Sequence, residues 1–362
     1  MRYKSVGRRV PSTRRWRKPL IAAALALFGG DLLCQEPKIA VEVKTVSVLA
    51  TVRDKHGKIV PDLTKEDFQL DEDGRPQVIN YFAREKDVPL CLGLLVDTSL
   101  SQRRVLEQER SASFAFLDHL LRADKDVVAV INFDRDVTLL QDFTSSRPKL
   151  QAALQQFETP QMGPQGSRGT HQRSGGGSGG GGRRGAGTLL YDAVYLASDE
   201  LMSKQQGRKA LIILSDGVDH GSKETLAQAI ETAQRADTVV YSILFSDEEP
   251  YNHYGGHGMG PYGGHGGRYP SQQERPDGKK ILEQISKQTG GRLFEVSKKE
   301  SVEKIYADIE EELRNQYSLG YTPEKDLQPG YHKIHLSTHI KDLKVQARDG
   351  YYSGPEAPRS SD

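Results

Sequence analysis

Hydrophobic and polar positions follow two different rhythms along this chain. Residues 39–52 alternate apolar and polar side chains, a period of two that is typical of a β-strand with one buried face. From residue 88 onward the pattern changes to continuous apolar runs, separated by stretches of helical periodicity. Strands that alternate with helices predict a doubly wound, mostly parallel sheet of the α/β class over residues 88–315.

Most strands and helices of this sheet domain can be assigned individually. Continuous apolar runs predict buried strands at residues 89–96, 127–133, 210–214, 238–245 and 292–296, and an edge strand is predicted at 137–140. The first helix carries on one face Val105, Ala112, Phe116, Leu117, Leu120 and Leu121. Further helices are predicted at 148–157, 188–202, 226–236, 281–288 and 302–315.

Alternating patterns return after the sheet domain, at residues 317–321, 331–336 and 343–348. We predict that these strands join the N-terminal ones in a single small β-rich module that flanks the sheet domain. The predicted divisions are a signal peptide at 1–35, a β-rich module at 36–87, the sheet domain at 88–315 and a β-rich C-terminal tail at 316–362.

Two low-complexity tracts interrupt the sheet domain, at about 159–187 and about 249–275, and they hold many of the 36 glycines. Neither tract has enough apolar side chains to form a core, so both are expected to be mobile loops. The second contains His253, His257 and His265. Histidine-rich tracts can bind transition metals, but a glycine background holds ligands poorly in place, which favours incidental histidines.

The N-terminal segment has the composition of a secretory signal. Residues 1–35 carry eight basic side chains and one acidic side chain, and an apolar run follows at residues 20–28. This run is shorter than the roughly 20 residues that span a bilayer, and its length suits a signal peptide. We therefore expect export to the periplasm or the extracellular space. Retention as a short anchor, or lipidation at Cys34, is the alternative.

Charge and cysteine content exclude some classes of function. Without residues 1–35 the chain has 42 basic and 48 acidic residues, so its mildly negative charge gives no support for a nucleic-acid partner. Membrane contact is expected only through a signal anchor or a lipid. Cys34 and Cys91 are the sole cysteines, and the first belongs to the signal segment, so a structural disulfide is not expected.

The first buried strand of the sheet domain ends in oxygen-bearing side chains. Asp97, Ser99 and Ser101 directly follow residues 89–96. Ligands of open α/β sheets bind at the carboxyl ends of the strands, where these side chains are predicted to lie. One carboxylate and two hydroxyls are hard donors that suit Mg²⁺, Mn²⁺ or Ca²⁺. The alternative is a helix N-cap made by Asp97 and Ser99, since both residue types favour that position.

Two later segments offer matching oxygens. Thr188 lies at a predicted helix start, and Asp216 follows the strand at 210–214. The ordered set of five resembles the metal-ion-dependent adhesion site of von Willebrand factor type A domains, over about residues 88–315. The resemblance implies hydroxyl ligands from Ser99, Ser101 and Thr188. It implies that Asp97 and Asp216 bind the ion directly or through water, and that one position is left for an acidic side chain of a protein partner.

Segments outside the sheet domain narrow the resemblance. The chain resembles the type A-related proteins abundant in Acidobacteria at residues 57–68, 71–74, 315–321 and 350–352.

Two other acids, Asp192 and Asp219, also lie near the predicted site. We do not predict either as a ligand.

The resemblance implies an exported adhesion-type module that binds a protein partner through a divalent cation, with Mg²⁺ expected and Mn²⁺ or Ca²⁺ as alternatives. A second hypothesis is a scaffold or assembly subunit of an extracytoplasmic complex, whose binding does not need the metal. A metal-dependent hydrolase is the least favoured hypothesis. The sequence has no Gly-x-Ser-x-Gly elbow, phosphate-binding loop or His-Glu-x-x-His motif, and we predict that the protein is not an enzyme.

Overall fold

A computed structural model describes residues 45–84, 87–102, 104–157, 187–245, 277–323 and 328–355. The predicted signal peptide, nearly all of the first glycine-rich tract and the whole of the second, with its three histidines, lie outside the described residues. Within the described part of the chain, no helix is both long enough and apolar enough to cross a bilayer.

The strands, in chain order, are β1 Val46–Asp54, β2 Phe68–Glu72, β3 Arg75–Gln77, β4 Ile79–Ala83, β5 Leu90–Asp97, β6 Val127–Phe133, β7 Val137–Thr144, β8 Arg208–Ser215, β9 Thr238–Leu244, β10 Leu293–Glu295, β11 Tyr317–Tyr321, β12 Gly330–Thr338, β13 Leu343–Ala347 and β14 Gly350–Ser353. The α-helices are α1 Leu106–Leu120, α2 Arg147–Leu154, α3 Leu190–Leu196, α4 Leu226–Arg235, α5 Gly278–Thr289 and α6 Val302–Arg314.

A six-stranded sheet in the order β10-β9-β8-β5-β6-β7 forms the centre of the larger domain. Its strands are parallel except β7, which pairs antiparallel with β6 at one edge. Helices α1, α2 and α6 contribute to the core on one face of the sheet, and α3, α4 and α5 to the core on the other. The predicted doubly wound, mostly parallel fold is confirmed.

Burial explains why the strands could be recognised. All eight residues of β5 are buried, as are all seven of β9, because helices cover both faces of the sheet. Apolar side chains are therefore favoured on both faces of the sheet, and apolar and polar residues do not alternate along these strands. The edge strand β7 has no buried residue, in agreement with its position at the margin of the sheet.

The helix predicted at 188–202 is not continuous, and this prediction was wrong in detail. Helix α3 ends at Leu196, a π-turn covers Ala197–Leu201, and a 3-10 turn covers Met202–Lys204. The wider turn accommodates one more residue than an α-helical turn. Both Ala197 and Met202, five residues apart, are thereby buried in the same core.

The remaining strands build a β-rich module of two four-stranded antiparallel sheets. One has the order β13-β1-β11-β4 and the other the order β14-β12-β2-β3. Each sheet combines strands from before and after the sheet domain, and apolar side chains from both sheets form one core. The predicted joint module of N- and C-terminal strands is confirmed.

A buried carboxylate links this module to the sheet domain. Glu312 of α6 is fully buried and forms ion pairs with Arg53 of β1 and with Arg292, which lies just before β10. Gln346 of β13 donates a hydrogen bond to the backbone carbonyl of Gly290, at the end of α5. A buried charge is tolerated only when it is paired. Together with the bond to Gly290, these ion pairs fix the module against helices on both faces of the sheet.

Candidate metal centre

Asp97 ends β5, which lies between the parallel strands β6 and β8. It is therefore at the carboxyl edge of the sheet, the edge formed by the carboxyl ends of the parallel strands. It pairs in register with Phe133, the last residue of β6, and the preceding Val96 pairs with Leu214 of β8. Ser215, which ends β8, is therefore adjacent to Asp97 across the sheet. The register brings three strand ends to one edge, where ligands of open α/β sheets bind.

Two hydrogen bonds fix the orientation of the Asp97 carboxylate. Its Oδ1 accepts the backbone N–H of Ser99 at 2.9 Å, and its Oδ2 accepts the hydroxyl of Ser215 at 2.7 Å. The Ser215 hydroxyl oxygen in turn accepts the N–H of Gly217 at 3.0 Å. Sequence reasoning assigned no role to Ser215, yet this residue connects the loops that follow β5 and β8. Its hydroxyl side chain and its position at the end of a strand are the features of the sequence from which a role could have been inferred.

The N-cap alternative for Asp97 and Ser99 is wrong for α1. That helix begins at Leu106, and its N-cap is Val105, which lies outside the motif. The Asp97 carboxylate instead closes a local turn onto the N–H of Ser99, a bond that aspartate commonly makes two residues along the chain.

Ser99 and Ser101 present their hydroxyls to the same point. The two Oγ atoms are 2.9 Å apart, with Ser99 nearly buried and Ser101 exposed. Adjacent ligands of an octahedral Mg²⁺, each at about 2.1 Å from the ion, are separated by about 3 Å. The spacing of the two hydroxyl oxygens therefore matches that of two neighbouring ligands of one small cation.

Thr188 belongs to a segment that crosses the carboxyl edge. Its carbonyl accepts the N–H of His220, in the loop after β8, at 2.8 Å. The next residue, Leu189, donates its N–H to the carbonyl of Asp134, in the loop after β6, at 2.9 Å. Since β5 lies between β6 and β8, the buried Thr188 is held at the edge where Asp97 lies.

Asp216 is half-buried at the start of the loop after β8, and its Oδ1 accepts the N–H of Val218 at 3.0 Å. Gly217, the next residue, has φ +78° and packs against the backbone of Gly278, at the start of α5. The structure thus brings all five predicted residues to one edge of the sheet.

We expect Gly217→Ala to cost more stability than Gly74→Ala, although both glycines have nearly the same φ. A Cβ at Gly217 would overlap the Gly278 carbonyl oxygen, whereas a Cβ at Gly74 has no neighbour within 4 Å. Both variants carry the penalty of a left-handed conformation, roughly 1 kcal/mol. Gly217→Ala should lose at least about 1 kcal/mol more in urea unfolding. Equal losses would show that the loop moves freely away from Gly278.

The donor set fits a hard divalent cation. It consists of hydroxyl and carboxylate oxygens, which are the ligands that Mg²⁺, Mn²⁺ and Ca²⁺ prefer. Neither Asp97 nor Asp216 forms an ion pair with a described residue. Burial and, to a smaller extent, the nearby Asp216 carboxylate raise the pKa of Asp97 to about 6, against the hydrogen bonds from Ser99 and Ser215 that lower it. A cation at this edge would compensate for a negative charge that burial disfavours.

The two acids that we did not predict as ligands have other contacts. Asp192 accepts the N–H groups of Lys223 and Glu224, each at 2.9 Å, just before α4. Asp219 accepts the hydroxyl of Ser222 at 2.6 Å and the N–H of Tyr191, in the first turn of α3, at 3.2 Å. Both carboxylates therefore organise the loop after β8 around the adjacent helices.

Comparison with known families decides the identity of the sheet domain. Residues 92–218, which include all five predicted site residues, match the family model of the von Willebrand factor type A domain. The chain contains a von Willebrand factor type A domain. No curated protein matches the chain.

Solved structures that are similar to this one come from different organisms. Proximal thread matrix protein 1 from the mussel byssus, with a zinc-occupied MIDAS motif, is 16% identical (TM-score 0.43; 68% of this chain and 50% of that chain). An aerotolerance-related membrane protein from Bacteroides fragilis is 15% identical (TM-score 0.42; 62% and 98%). A von Willebrand factor type A structure from Catenulispora acidiphila is 10% identical (TM-score 0.43; 77% and 71%). The chain spans about half the length of the mussel protein. The narrower resemblance to Acidobacteria gains no support from these matches.

Proposed function

We propose that the type A domain binds one divalent cation, with Mg²⁺ as the expected ion, and uses it to bind an acidic side chain of a protein partner. Hydroxyl ligands come from Ser99, Ser101 and Thr188, with Asp97 and Asp216 bound directly or through water. The observation that carries the proposal is the 2.9 Å spacing of the Ser99 and Ser101 hydroxyls, next to a buried carboxylate that has no cationic partner among the described residues.

The chemistry of the donor set favours binding over catalysis. A bound cation would supply a strong electrostatic attraction for an incoming carboxylate, because several of its ligands are neutral hydroxyls. Asp97 is already oriented by Ser99 and Ser215, so little rearrangement of that side chain is needed when the ion enters. The basic and apolar N-terminal residues support an exported protein, periplasmic or extracellular, as the setting for such a partner.

Titration calorimetry with MgCl₂ and MnCl₂ tests the proposal directly. We expect the purified protein to take up one ion per chain at millimolar or lower concentration, more tightly when a short glutamate-containing peptide is present. Excess chelator should abolish retention of the peptide, because the ion provides the contact. Absence of uptake of either ion, even with the peptide, would contradict the proposal.

The double variant Ser99→Ala/Ser101→Ala is the matched control for folding. In the wild type the Ser99 and Ser101 hydroxyls are hydrogen-bonded to each other. Removing both leaves no hydroxyl without its partner, so stability should change little. We expect its ion affinity to fall at least about tenfold. If the wild type retains the peptide in excess chelator, and the double variant retains it as well, then binding is independent of the metal, as the scaffold hypothesis requires.

A further inference from the structure

A single acidic side chain lies on the apolar face of α1. Glu109 is fully buried, and it shares the inner face of the helix with Leu106, Ala112 and Phe116. Helical spacing could have revealed it, since Glu109 lies four residues after Val105 and three before Ala112. The proposed ligand set does not include this carboxyl group, and its presence inside the core requires a reason.

Successive turns of the chain connect Glu109 to the cation ligands. The carbonyl of Ser99 accepts the N–H of Gln102 at 3.0 Å, and the carbonyl of Gln102 accepts the N–H of Val105 at 3.0 Å. The carbonyl of Val105 then accepts the N–H of Glu109 at 2.9 Å. Glu109 therefore lies in the first helical turn below the loop that carries Ser99. Helical side chains lean toward the N-terminus of their helix, which directs this carboxyl group toward the loop.

Among the residues that the structure describes, Glu109 has none of the hydrogen-bond partners that a buried acid normally has. Neither of its carboxyl oxygens accepts a hydrogen bond from any described residue, and the same is true of the buried side-chain oxygen of Gln102. A buried polar group without a partner destabilises the fold, and more so if it is charged. Core positions of this kind are normally apolar, so an unpartnered acid here indicates a functional role.

Electrostatics couple Glu109 to the proposed site. Burial raises the pKa of Glu109 well above its ordinary value, and the carboxylates of Asp97 and Asp216 raise it further. Negative charge at Asp97 and Asp216 thus disfavours a charged Glu109, and a divalent cation bound by those two residues would relieve this effect. The N-terminal turn of α1 also favours negative charge at this position, through the helix dipole.

We propose that Glu109 is a positioning residue of the cation site: beneath the loop that carries Ser99, it supplies negative charge and accepts hydrogen bonds from water when the ion is bound. This inference rests on the proposed function. Gln102 lies in the turn between Ser99 and Val105, and its buried side-chain oxygen also has no hydrogen-bond partner among the described residues.

The test compares Glu109→Gln with Glu107→Gln. Both lie in the first turn of α1, but Glu107 is exposed and pairs with Arg110. Calorimetry with MnCl₂ should show about tenfold to hundredfold weaker uptake for Glu109→Gln and wild-type uptake for Glu107→Gln. In urea without metal, Glu109→Gln should be at least as stable as the wild type, because a neutral amide replaces an acid whose charged form is disfavoured by burial and by the charges of Asp97 and Asp216.

The outcomes separate this inference from the proposed function. Uptake by the wild type together with unchanged affinity in Glu109→Gln would overturn the inference alone. A variant that loses metal-free stability along with affinity would show that Glu109 supports the fold, and would overturn it as well. No uptake by the wild type would overturn both. Glu109→Asp, which keeps the charge on a shorter side chain, should recover part of the lost affinity.

Discussion

Replacing Asp97 with asparagine is expected to stabilise the metal-free protein at pH 7.5 and to abolish its uptake of a divalent cation. The carboxylate is fully buried, and burial raises its pKa to about 6. At pH 7.5 the metal-free fold must therefore hold an ionised group that its surroundings disfavour. Asparagine has the same shape without the charge, and its side-chain oxygen can still accept the N–H of Ser99.

The sign and size of the effect follow from the shift in pKa. Because the folded-state pKa of Asp97 is raised, its neutral form stabilises the fold at low pH. That stability is lost as the pH rises from about 4 to about 6 and stays lost above this range. The difference between the ordinary pKa of an aspartate and a pKa of about 6 corresponds to about 3 kcal/mol. In Asp97→Asn the hydrogen bond with Ser215 is altered, which reduces the expected gain in stability by about 1 kcal/mol.

Urea unfolding in chelator, repeated with saturating MnCl₂, measures both parts of the prediction. Asp97→Asn should exceed the wild type by about 1–3 kcal/mol in chelator. The wild type should gain stability with the ion, because an ion that binds only the folded state stabilises it, whereas the variant should not. Asp142→Asn, at an exposed position of β7, serves as the control. A variant that is less stable in chelator would contradict the argument from burial.

The contrast between sheet domain and β-rich module shows what the sequence could predict. Residues 89–96 were recognisable as a strand because both faces of β5 are covered. In the module, alternation identified which side chains face a core, but not which strands pair. The pairing of Ala50 with Ala347 joins positions almost 300 residues apart in the sequence. No local pattern encodes such a register, so the joint module could be predicted and its strand order could not.

The same limit applies to the candidate metal centre. Each predicted ligand follows a recognisable strand or precedes a recognisable helix, so the sequence alone placed Asp97 and Asp216 at one sheet edge. The bond from Ser215 to Asp97 depends on the register of β5 against β8, which the sequence does not specify. Glu109 was missed for another reason. Helical spacing could have placed this acid within the apolar stripe of α1, but its lack of hydrogen-bond partners among the described residues is known only from the structure.

The opposite edge of the sheet holds the group whose loss should cost most. Asp126 is fully buried before β6, and its carboxylate accepts the backbone N–H of Leu90 at 2.9 Å, where β5 begins. The guanidinium groups of Arg122 and Arg314 donate to it at 2.9 and 2.7 Å. Burial alone would raise the pKa of Asp126, but these bonds hold it well below its ordinary value. One carboxylate thus joins the end of α1, the start of β5 and the end of α6.

We therefore expect Asp126→Ala to lower the free energy of unfolding by about 3–5 kcal/mol, because both arginines lose a buried partner. Asp124→Ala, two residues away and exposed, should change it by less than about 0.5 kcal/mol. The depressed pKa means that the contribution of Asp126 is complete above about pH 4 and is lost as the pH falls. Because β5 separates Asp126 from Asp97 by its whole length, folded Asp126→Ala should bind Mn²⁺ like the wild type. Weakened binding in protein that is still folded would show that the two edges of the sheet are coupled, and would contradict this separation of stability from function.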